Sequence, residues 1–467
     1  MDTAPSTSTD AKTAHSEDWD DLKELFARAA DQYECDDVTE ALPLLRGVIH
    51  ECHRFLVLYE DPSVLFSEPV RPRSKSPDVL TPTPETKPKK CKCRESPTAF
   101  HAILGTALFL FGNLIAQDPA LALPDEPCTP APYWLAALDV FETGENLPSR
   151  TSGRGCEAQE DWRMAIVWGR TLVCVADEAV SLQNAGAPAP AGPEAKWPPE
   201  SPFAAIAMRR PPASRRISLA TAAPHELLLL AMDQFTRGIF HMPHPQHLSP
   251  SSSASVQQLE SGSSAGTGDP AAPPPFSRAK ELFTIASEVL ALAERLPAPL
   301  ERQRWAQWAD SVFNQMDLEG DTAHDAWRGP ITRARGRCWL VVGTARVEEI
   351  EVAAEAQGWD TSEDGGGVYA SEEAEEAREG LARAVEFFER AAGGAKSEFI
   401  RADGDEGGGD GDAEEGEEER ELRSFLTEAL LTLANLTREE DKREELYRRA
   451  ELLAGDQLEG MEMDESP

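Results

Sequence analysis

The sequence predicts an all-α fold, and three observations support this. Apolar residues recur at intervals of three and four positions in one stretch after another, which is the period of an amphipathic helix. No stretch alternates apolar and polar residues for long enough to predict a strand. The segments between the helical stretches are rich in proline, glycine, serine or acidic residues, so they have little to bury and predict disordered insertions.

The first helices come as a pair within residues 19–68. Asp20–Cys35 carries an apolar stripe that follows acidic residues, and these suit the positive end of a helix. Asp37–Glu60 has a broader apolar face, and Pro43 lies near its first turn, where a missing N–H costs nothing. The two stretches together predict a helical hairpin.

The next stretch, Ala99–Ala116, is apolar enough to raise the question of a membrane span. Its length is near the lower limit for crossing a bilayer, roughly 17–25 residues. His101 and Asn113 interrupt it, and no second segment like it follows. We therefore expect a buried core helix and no membrane contact; a membrane segment is the alternative.

The remaining elements follow in chain order. The helical regions are helical repeats in 98–184, a helix in 224–242, helices in 277–356, a helix in 372–400 and a helix pair in 422–456. The expected non-helical regions are a disordered N-terminus (1–18), a basic Pro/Ser-rich insertion (69–97), a Pro/Ala-rich linker (185–223), a Ser/Gly/Pro linker (243–276), an acidic loop (357–371), an acidic disordered loop (401–421) and an acidic tail (457–467).

Spacing within the helices predicts a degenerate tetratricopeptide-like array. Such repeats need a large residue between two small ones where paired helices cross, spaced four and then three positions apart. Two helices have this spacing, at Ala137, Phe141 and Gly144 and at Ala384, Phe388 and Ala391. A third pair matches the repeat pattern less fully; it consists of Phe425–Leu436 followed by Tyr447, Ala450 and Leu453. A generic helical core is the alternative, because insertions obscure the repeat period of about 34 residues.

Charge restricts the class of partner. The chain has 83 Asp and Glu residues against 45 Lys and Arg residues, a formal net charge of −38. Such a surface repels phosphate backbones, so we expect protein partners and no direct nucleic-acid binding. Eight cysteines are scattered without a disulfide framework, and the N-terminus resembles no secretory leader, which together favour a reducing compartment.

The search for chemistry finds no catalytic, cofactor or metal site. His50 and His53 share a helical face beside Glu51 and Cys52, but no third ligand lies at a useful spacing, so packing is expected. Gly393–Ser397 lacks the glycine that precedes lysine in a phosphate loop. We therefore expect a non-catalytic protein without a cofactor; an enzyme with an unrecognised site is the alternative.

Two regulatory features lie in the insertions. Arg215-Arg216-Ile217-Ser218 has the pattern of a basophilic kinase site, and proline-directed sites are predicted at Ser76, Thr81, Thr83 and Ser96. A basic cluster in the first insertion has the composition of a nuclear import signal, with a solvated charge run as the alternative. Its residues are Arg71, Arg73, Lys75, Lys87, Lys89, Lys90, Lys92 and Arg94.

The segment Leu44–Leu56, which reads LLRGVIHECHRFL, resembles a known family. It is similar to the Gly-Ile-Val-His-Glu-Cys-Asp-Arg-Leu-Leu segment of the fungal enhancer of translation termination family. The matching positions are Gly47, His50, Glu51, Cys52 and Arg54. Glu445–Leu453 also resembles the last helix of that family. The relatives begin with a Lys/Arg-rich segment, whereas this sequence starts MDTAPSTSTDAK.

The resemblance implies a nuclear protein, also found in the cytoplasm, that is required for correct translation termination and regulates hypoxic gene expression. A fission-yeast relative is a negative regulator and nuclear-import adaptor of a prolyl-hydroxylase-like dioxygenase. The implied partners are therefore such a dioxygenase, termination factors and the import machinery. The family offers no catalytic residues to transfer. A generic repeat scaffold or co-chaperone without a termination role is the alternative.

Overall fold

The computed structural model is helical in every regular element among its described residues. These residues are 8–65, 95–147, 161–186, 201–212, 215–219, 222–244, 276–319, 324–356, 371–402 and 411–463. They belong to two compact units, one within 1–244 and 248–275 and the other within 245–247 and 276–467. The predicted all-α fold is confirmed.

The N-terminal unit contains seven α-helices among the described residues. They are α1 (Ser8–Glu34), α2 (Val38–Leu58), α3 (Ala99–Gln117), α4 (Ala131–Glu145), α5 (Trp162–Asn184), α6 (Pro202–Met208) and α7 (Pro224–His241). Short 3₁₀ helices cover Pro62–Leu65 and Pro119–Leu121. Asp37 begins α2 by accepting a hydrogen bond from the Glu40 backbone N–H, as its position before the apolar stripe suggests.

In the C-terminal unit, each helix packs on the next along the chain. The helices are α8 (Arg278–Arg295), α9 (Pro299–Glu319), α10 (His324–Ala356), α11 (Glu372–Ala402), α12 (Gly411–Leu436) and α13 (Glu440–Met463). The core between α10 and α13 buries Leu381, Ala384, Phe388, Leu430 and Ala450. Short connections between helices favour such side-by-side hairpins.

Several boundaries differ from those the sequence predicts. Helix α1 begins inside the expected disordered N-terminus, and α6 lies inside the 185–223 linker. Helix α12 begins at Gly411, within the expected acidic loop, and α13 extends into the acidic tail. In α12 the acidic residues precede the apolar stretch, where the positive end of the helix dipole favours them. The prediction that these segments are non-helical, which rested on their composition, was therefore wrong where α1, α6, α12 and α13 extend into them.

The apolar helix α3 is a core helix of the N-terminal unit. By length and composition it could cross a membrane, but 67% of its most apolar window is buried inside the fold. Phe100, Leu104, Leu108 and Phe111 are almost completely buried among neighbouring helices. The neighbours of α3 supply the apolar surroundings that its sequence requires.

A glycine facing a phenylalanine recurs where paired helices cross. A Cβ atom added at Gly105 would lie 2.3 Å from the Phe141 ring, and one at Gly336 would lie 2.5 Å from the Phe388 ring. The predicted hairpins α3–α4 and α10–α11 therefore form, with Phe141 and Phe388 each filling the groove left by a glycine. Helix α13 contributes the buried Ala450 of the weaker third pair.

A further crossing of the same kind was not predicted. Helices α5 and α7 pack with Gly169 against the Phe235 ring, where an added Cβ would lie 2.5 Å away. Helix α7 has the expected spacing, since Ala231, Phe235 and Gly238 follow the small–aromatic–small pattern. Sequence analysis overlooked this pair because the 185–223 segment separates its two helices.

Candidate segment-binding groove

The structure separates the residues of the α2 motif. Gly47 faces Leu25 of α1, Cys52 is fully buried, and His50 is exposed. Burial raises the pKa of the Cys52 thiol, which makes it an unreactive packing residue. Among the described residues, no three His, Cys, Asp or Glu side chains are grouped so that they could hold a metal ion.

The charged members of the motif join α2 to α1. Arg54 pairs with Glu51 at 2.8 Å and with Asp18 of α1 at 3.4 Å. Its hydrogen bond with Glu51 raises the pKa of Arg54. The neighbouring Arg46, which the motif comparison passed over, pairs with Glu126 at 2.7 Å and donates to the Leu121 carbonyl. These contacts position helices and do not form a catalytic constellation.

A groove lies between α2, α3 and α4, and a segment of the chain itself occupies it. We call residues 201–212 and 215–219 the strap. Its helix α6 is capped by Ser201, whose hydroxyl accepts from the Phe203 N–H. Phe203 and Ile206 are buried, and the Phe203 ring meets the Tyr133 ring of α4 edge-on at 5.6 Å. The apolar residues of the strap thus anchor it to α4.

Arg209 of the strap binds the carboxyl end of α2. Its guanidinium donates to the carbonyls of Leu56, Tyr59 and Glu60, with distances of 3.0 Å to Tyr59 and 2.9 Å to Glu60. The last carbonyls of a helix have no partner within the helix and carry its negative partial charge, so a cation fits there. Desolvation lowers the pKa of Arg209, although the nearby Glu60 carboxylate opposes that effect.

Arg210 forms a buried ion pair with α4. Its Nε lies 2.7 Å from Asp139 Oδ2, and each side chain is about nine-tenths buried. The contact is an ion pair and not a well-directed hydrogen bond. Thr143 donates to the Asp139 carbonyl at 2.7 Å and to the Arg209 carbonyl at 3.4 Å, which fixes the strap backbone beside α4.

The far end of the strap is held by more exposed contacts. Arg215 lies 3.3 Å from a Glu142 carboxylate oxygen and donates to Asn146 Oδ1 at 3.2 Å. Arg216 donates to the Pro211 carbonyl at 2.7 Å. Exposed ion pairs contribute little because water screens them, so the inner arginines hold the strap more firmly than these do.

The strap leaves part of the groove empty. A cavity of about 430 Å³ remains, lined by Leu56, Glu60, His101, Leu104, Asp139, Val140, Thr143, Leu147, Ile206, Arg209 and Arg210. His101 is buried, and its Nδ1 has no hydrogen-bond partner among the residues that the structure describes. Desolvation lowers the pKa of His101 to about 4, so its imidazole is neutral near pH 7.

The predicted phosphorylation sites fall in different places. Ser218 is exposed at the end of the strap. Ser96 is half-buried at the start of α3, where its hydroxyl lies 2.8 Å from Thr98 Oγ1. Ser76, Thr81 and Thr83 lie outside the described residues. All members of the predicted import signal also lie outside them: Arg71, Arg73, Lys75, Lys87, Lys89, Lys90, Lys92 and Arg94.

The strap residues that contact α2 and α4 were not predicted from the sequence. It placed 185–223 in a linker, although Phe203, Ile206, Arg209 and Arg210 recur at near-helical spacing inside it. That spacing was the available signal. The partners of these residues lie in α2 and α4, far away in the sequence, and only the tertiary structure brings them together.

The fold defines a class: an all-α helical-repeat protein, in whose N-terminal unit the strap of the same chain lies between helices. The sequence matches no known protein-family model and no curated protein.

Solved structures with similar helical architecture include two of Nro1. One is described as the S. pombe nuclear import adaptor Nro1, with 12% identity, coverage of 93% of this chain and 92% of that chain, and a TM-score of 0.44. The other is described as the hypoxic regulator of sterol synthesis Nro1, a nuclear import adaptor, with 12% identity, coverage of 95% and 91%, and a TM-score of 0.45. A circular tandem repeat protein has 15% identity, coverage of 95% and 71%, and a TM-score of 0.26.

Proposed function

We propose that this protein is a non-catalytic adaptor that binds segments of partner proteins in the groove between α2, α3 and α4. The observation that carries the proposal is the strap itself, because the groove already holds a peptide segment through Phe203, Arg209 and Arg210. Helical-repeat arrays commonly bind partners in the grooves that stacked helices create.

The chemistry of the groove favours binding over catalysis. Its acidic residue Asp139 is paired with Arg210, and its histidine is held neutral by burial. Arg209 is directed at backbone carbonyls. A general base needs a pKa near the working pH, and the pKa of His101 lies well below pH 7. These groups instead suit recognition of a cationic segment.

The similarity of Leu44–Leu56 to the enhancer of translation termination family supports a narrower proposal. By that similarity, the chain acts in the nucleus and cytoplasm as a nuclear-import adaptor in hypoxic gene regulation. Its partners are then a prolyl-hydroxylase-like dioxygenase and the import machinery. The exposed His50 and Arg54 of this segment leave part of α2 accessible to a partner.

Capture of partners by the full chain tests the adaptor function. Leu147→Trp places an indole at the edge of the cavity, and Leu123→Trp is a matched control at an exposed position outside it. We expect the wild-type chain and Leu123→Trp to retain a dioxygenase of this type or import factors under native salt, and Leu147→Trp to lose them. Equal capture by all three chains would exclude the groove as the binding site.

The role in translation termination is a separate part of the proposal and rests on the same similarity. A stop-codon readthrough reporter in a deletion strain tests it directly. We expect increased readthrough that the wild-type chain corrects. Unchanged readthrough would remove this role and would favour a scaffold or co-chaperone that has no link to termination.

A further inference from the structure

We infer that the strap is an intramolecular ligand, and that the partner segment it stands in for has the same chemistry. That segment would present an aromatic residue, an aliphatic residue three positions later and a pair of arginines three positions after that, as Phe203, Ile206, Arg209 and Arg210 do. The inference rests on the proposed adaptor function and names the class of partner for the groove.

The strap is not part of the repeat that it interrupts. Helices α5 and α7, which flank it in the sequence, pack directly through Gly169 against Phe235 and Gly238 against Ile166. The strap instead lies on α2 and α4, with contacts to residues as far as 153 positions away in sequence. A segment that completes neither neighbouring helix can leave its groove without opening the α5–α7 hairpin.

The groove recognises the strap by features that another segment could use equally well. Arg209 binds main-chain carbonyls at the end of α2, which any guanidinium in that position would reach. Arg210 forms an ion pair with the carboxylate of Asp139. Arginine suits both places because its fork of donors reaches several acceptors at once.

The fit of the strap is incomplete, which gives a competitor room to bind better. The cavity of about 430 Å³ lies along Ile206, and His101 Nδ1 is left without a partner on its wall. A partner segment with a larger aliphatic or aromatic side chain at the Ile206 position would fill this space. A partner group that formed a hydrogen bond with His101 Nδ1 would also satisfy a buried polar atom, which is costly to leave unpaired.

Because the strap belongs to the same chain, a partner segment must bind the groove more tightly than the tethered strap does. A segment held in the same chain competes at an effective concentration on the order of 1 mM. A free segment of equal fit would therefore bind weakly until the strap is loosened. Only a better-fitting segment displaces the intact strap at micromolar concentration.

A labelled synthetic peptide of residues 200–219, titrated into the full chain, tests the inference. The chain with Phe203→Ala and Arg209→Ala has a loosened strap, and we expect it to bind the peptide about ten-fold more tightly than the wild-type chain, because the competitor in cis is weakened. Adding Asp139→Asn should reverse this gain. Equal binding by the wild-type and loosened chains, or full binding in the presence of Asp139→Asn, would overturn the inference.

Hydrogen exchange of the wild-type chain gives a second test that needs no variant protein to fold. Peptide at several millimolar, about the effective concentration of the tethered strap or above it, should raise the exchange of the strap amides between Phe203 and Pro211. A control peptide with alanine in place of Arg209 and Arg210 should leave that exchange unchanged. If partner proteins are captured while the peptide never displaces the strap, the inference fails and the adaptor function stands. If the peptide displaces the strap but no partner protein is captured, the inference about the strap stands and the adaptor function fails.

Discussion

The two units use similar helix crossings but place their arginines differently. Each has a glycine facing a phenylalanine, Gly105 with Phe141 in one and Gly336 with Phe388 in the other. In the C-terminal unit, several arginines of α10 pair with neighbouring helices, as Arg335 does with Asp310 at 2.8 Å. In the N-terminal unit, Arg209 and Arg210 come from an inserted segment.

If the strap is an intramolecular ligand, the N-terminal unit is the one that can exchange it for a partner segment. Further arginines of α10 pair within the C-terminal unit, Arg333 with Glu418, Arg337 with Glu294 and Arg346 with Glu376. These charges are part of helices that cannot leave without unfolding. Residues 276–467 contain 47 Asp and Glu but 22 Lys and Arg, against 34 and 23 in residues 1–244. The C-terminal unit therefore has most of the excess negative charge.

The largest expected effect comes from His101. Because its pKa in the folded protein is about 4, the unfolded state, with a pKa near 6.5, takes up the proton first as the pH falls. The stability contributed by neutral His101 is thus fully present above pH 6.5 and is lost as the pH falls towards 4. The loss in unfolding free energy amounts to about 3 kcal/mol at pH 4.

Urea unfolding at pH 7 and pH 4 measures this effect. Between pH 7 and pH 4, the unfolding free energy of His101→Leu should fall by about 3 kcal/mol less than that of the wild type. The exposed His50→Leu serves as a control for the loss of a histidine as such. An identical pH dependence in the wild type and His101→Leu would contradict the burial of a neutral imidazole.

The next largest effect is the loss of stability when an arginine of the strap or of α10 is replaced. Arg210→Ala removes the arginine that forms an ion pair with Asp139, and Arg335→Ala removes the one that pairs with Asp310. Each should lower the unfolding free energy of its own unit by about 2 kcal/mol, since removing one member of a buried pair leaves an uncompensated charge.

The strap peptide distinguishes these two variants. Added in trans, it should raise the melting temperature of Arg210→Ala, because its own arginine can reach Asp139. It should leave that of Arg335→Ala unchanged, because α10 cannot be replaced. Calorimetry with and without the peptide measures both values. A peptide that stabilises neither variant would show that the strap arginines are as fixed as those of α10.

A smaller effect is expected at the shared crossings. Gly105→Ala and Gly336→Ala would each place a Cβ within 2.5 Å of a phenylalanine ring. Overpacking should outweigh the helix preference of alanine and destabilise each unit by about 1–2 kcal/mol. Gly47→Ala and Gly329→Ala are matched controls, since an added Cβ meets only Leu25 at 3.6 Å or nothing within 4 Å. Denaturant unfolding should show a neutral or stabilising effect for both controls.

The smallest expected effect is at Ser218. Phosphorylation would add about −1.5 to −2 charges three residues from Arg215, which pairs with Glu142 at 3.3 Å. The new charge should draw Arg215 away from Glu142 and loosen only the outer end of the strap, because exposed pairs are worth at most about 1 kcal/mol. Hydrogen exchange of residues 211–219 should rise a few-fold in Ser218→Glu and stay unchanged in Ser218→Ala.

Several features of the fold could be predicted from local sequence. The period of apolar residues gave the helices, and the small–aromatic–small spacing around Phe141 and Phe388 gave two crossings. The same spacing around Phe235 was present but was overlooked because its partner helix lies far upstream. Acidic composition suggested loops at 1–18 and 401–421, whereas α1 and α12 extend into these segments.

The candidate site was much less predictable than the helices. The motif residues Gly47, His50 and Cys52 attracted attention because they are unusual neighbours in sequence, yet the structure directs them to different surroundings. Conversely, Arg209 and Arg210 lie in a segment whose composition is that of a linker. Their importance depends on acceptors in other helices, and a local pattern contains no information about these.

By itself, the sequence determined that this protein is helical, acidic and built from paired helices, because helix period and charge are properties of neighbouring residues. Only the tertiary structure decided that the strap fills a groove, that Arg210 meets Asp139 and that His101 is buried beside an open cavity. These features arise where chain segments distant in sequence come together, and burial there sets both the ion pairing and the protonation of the site.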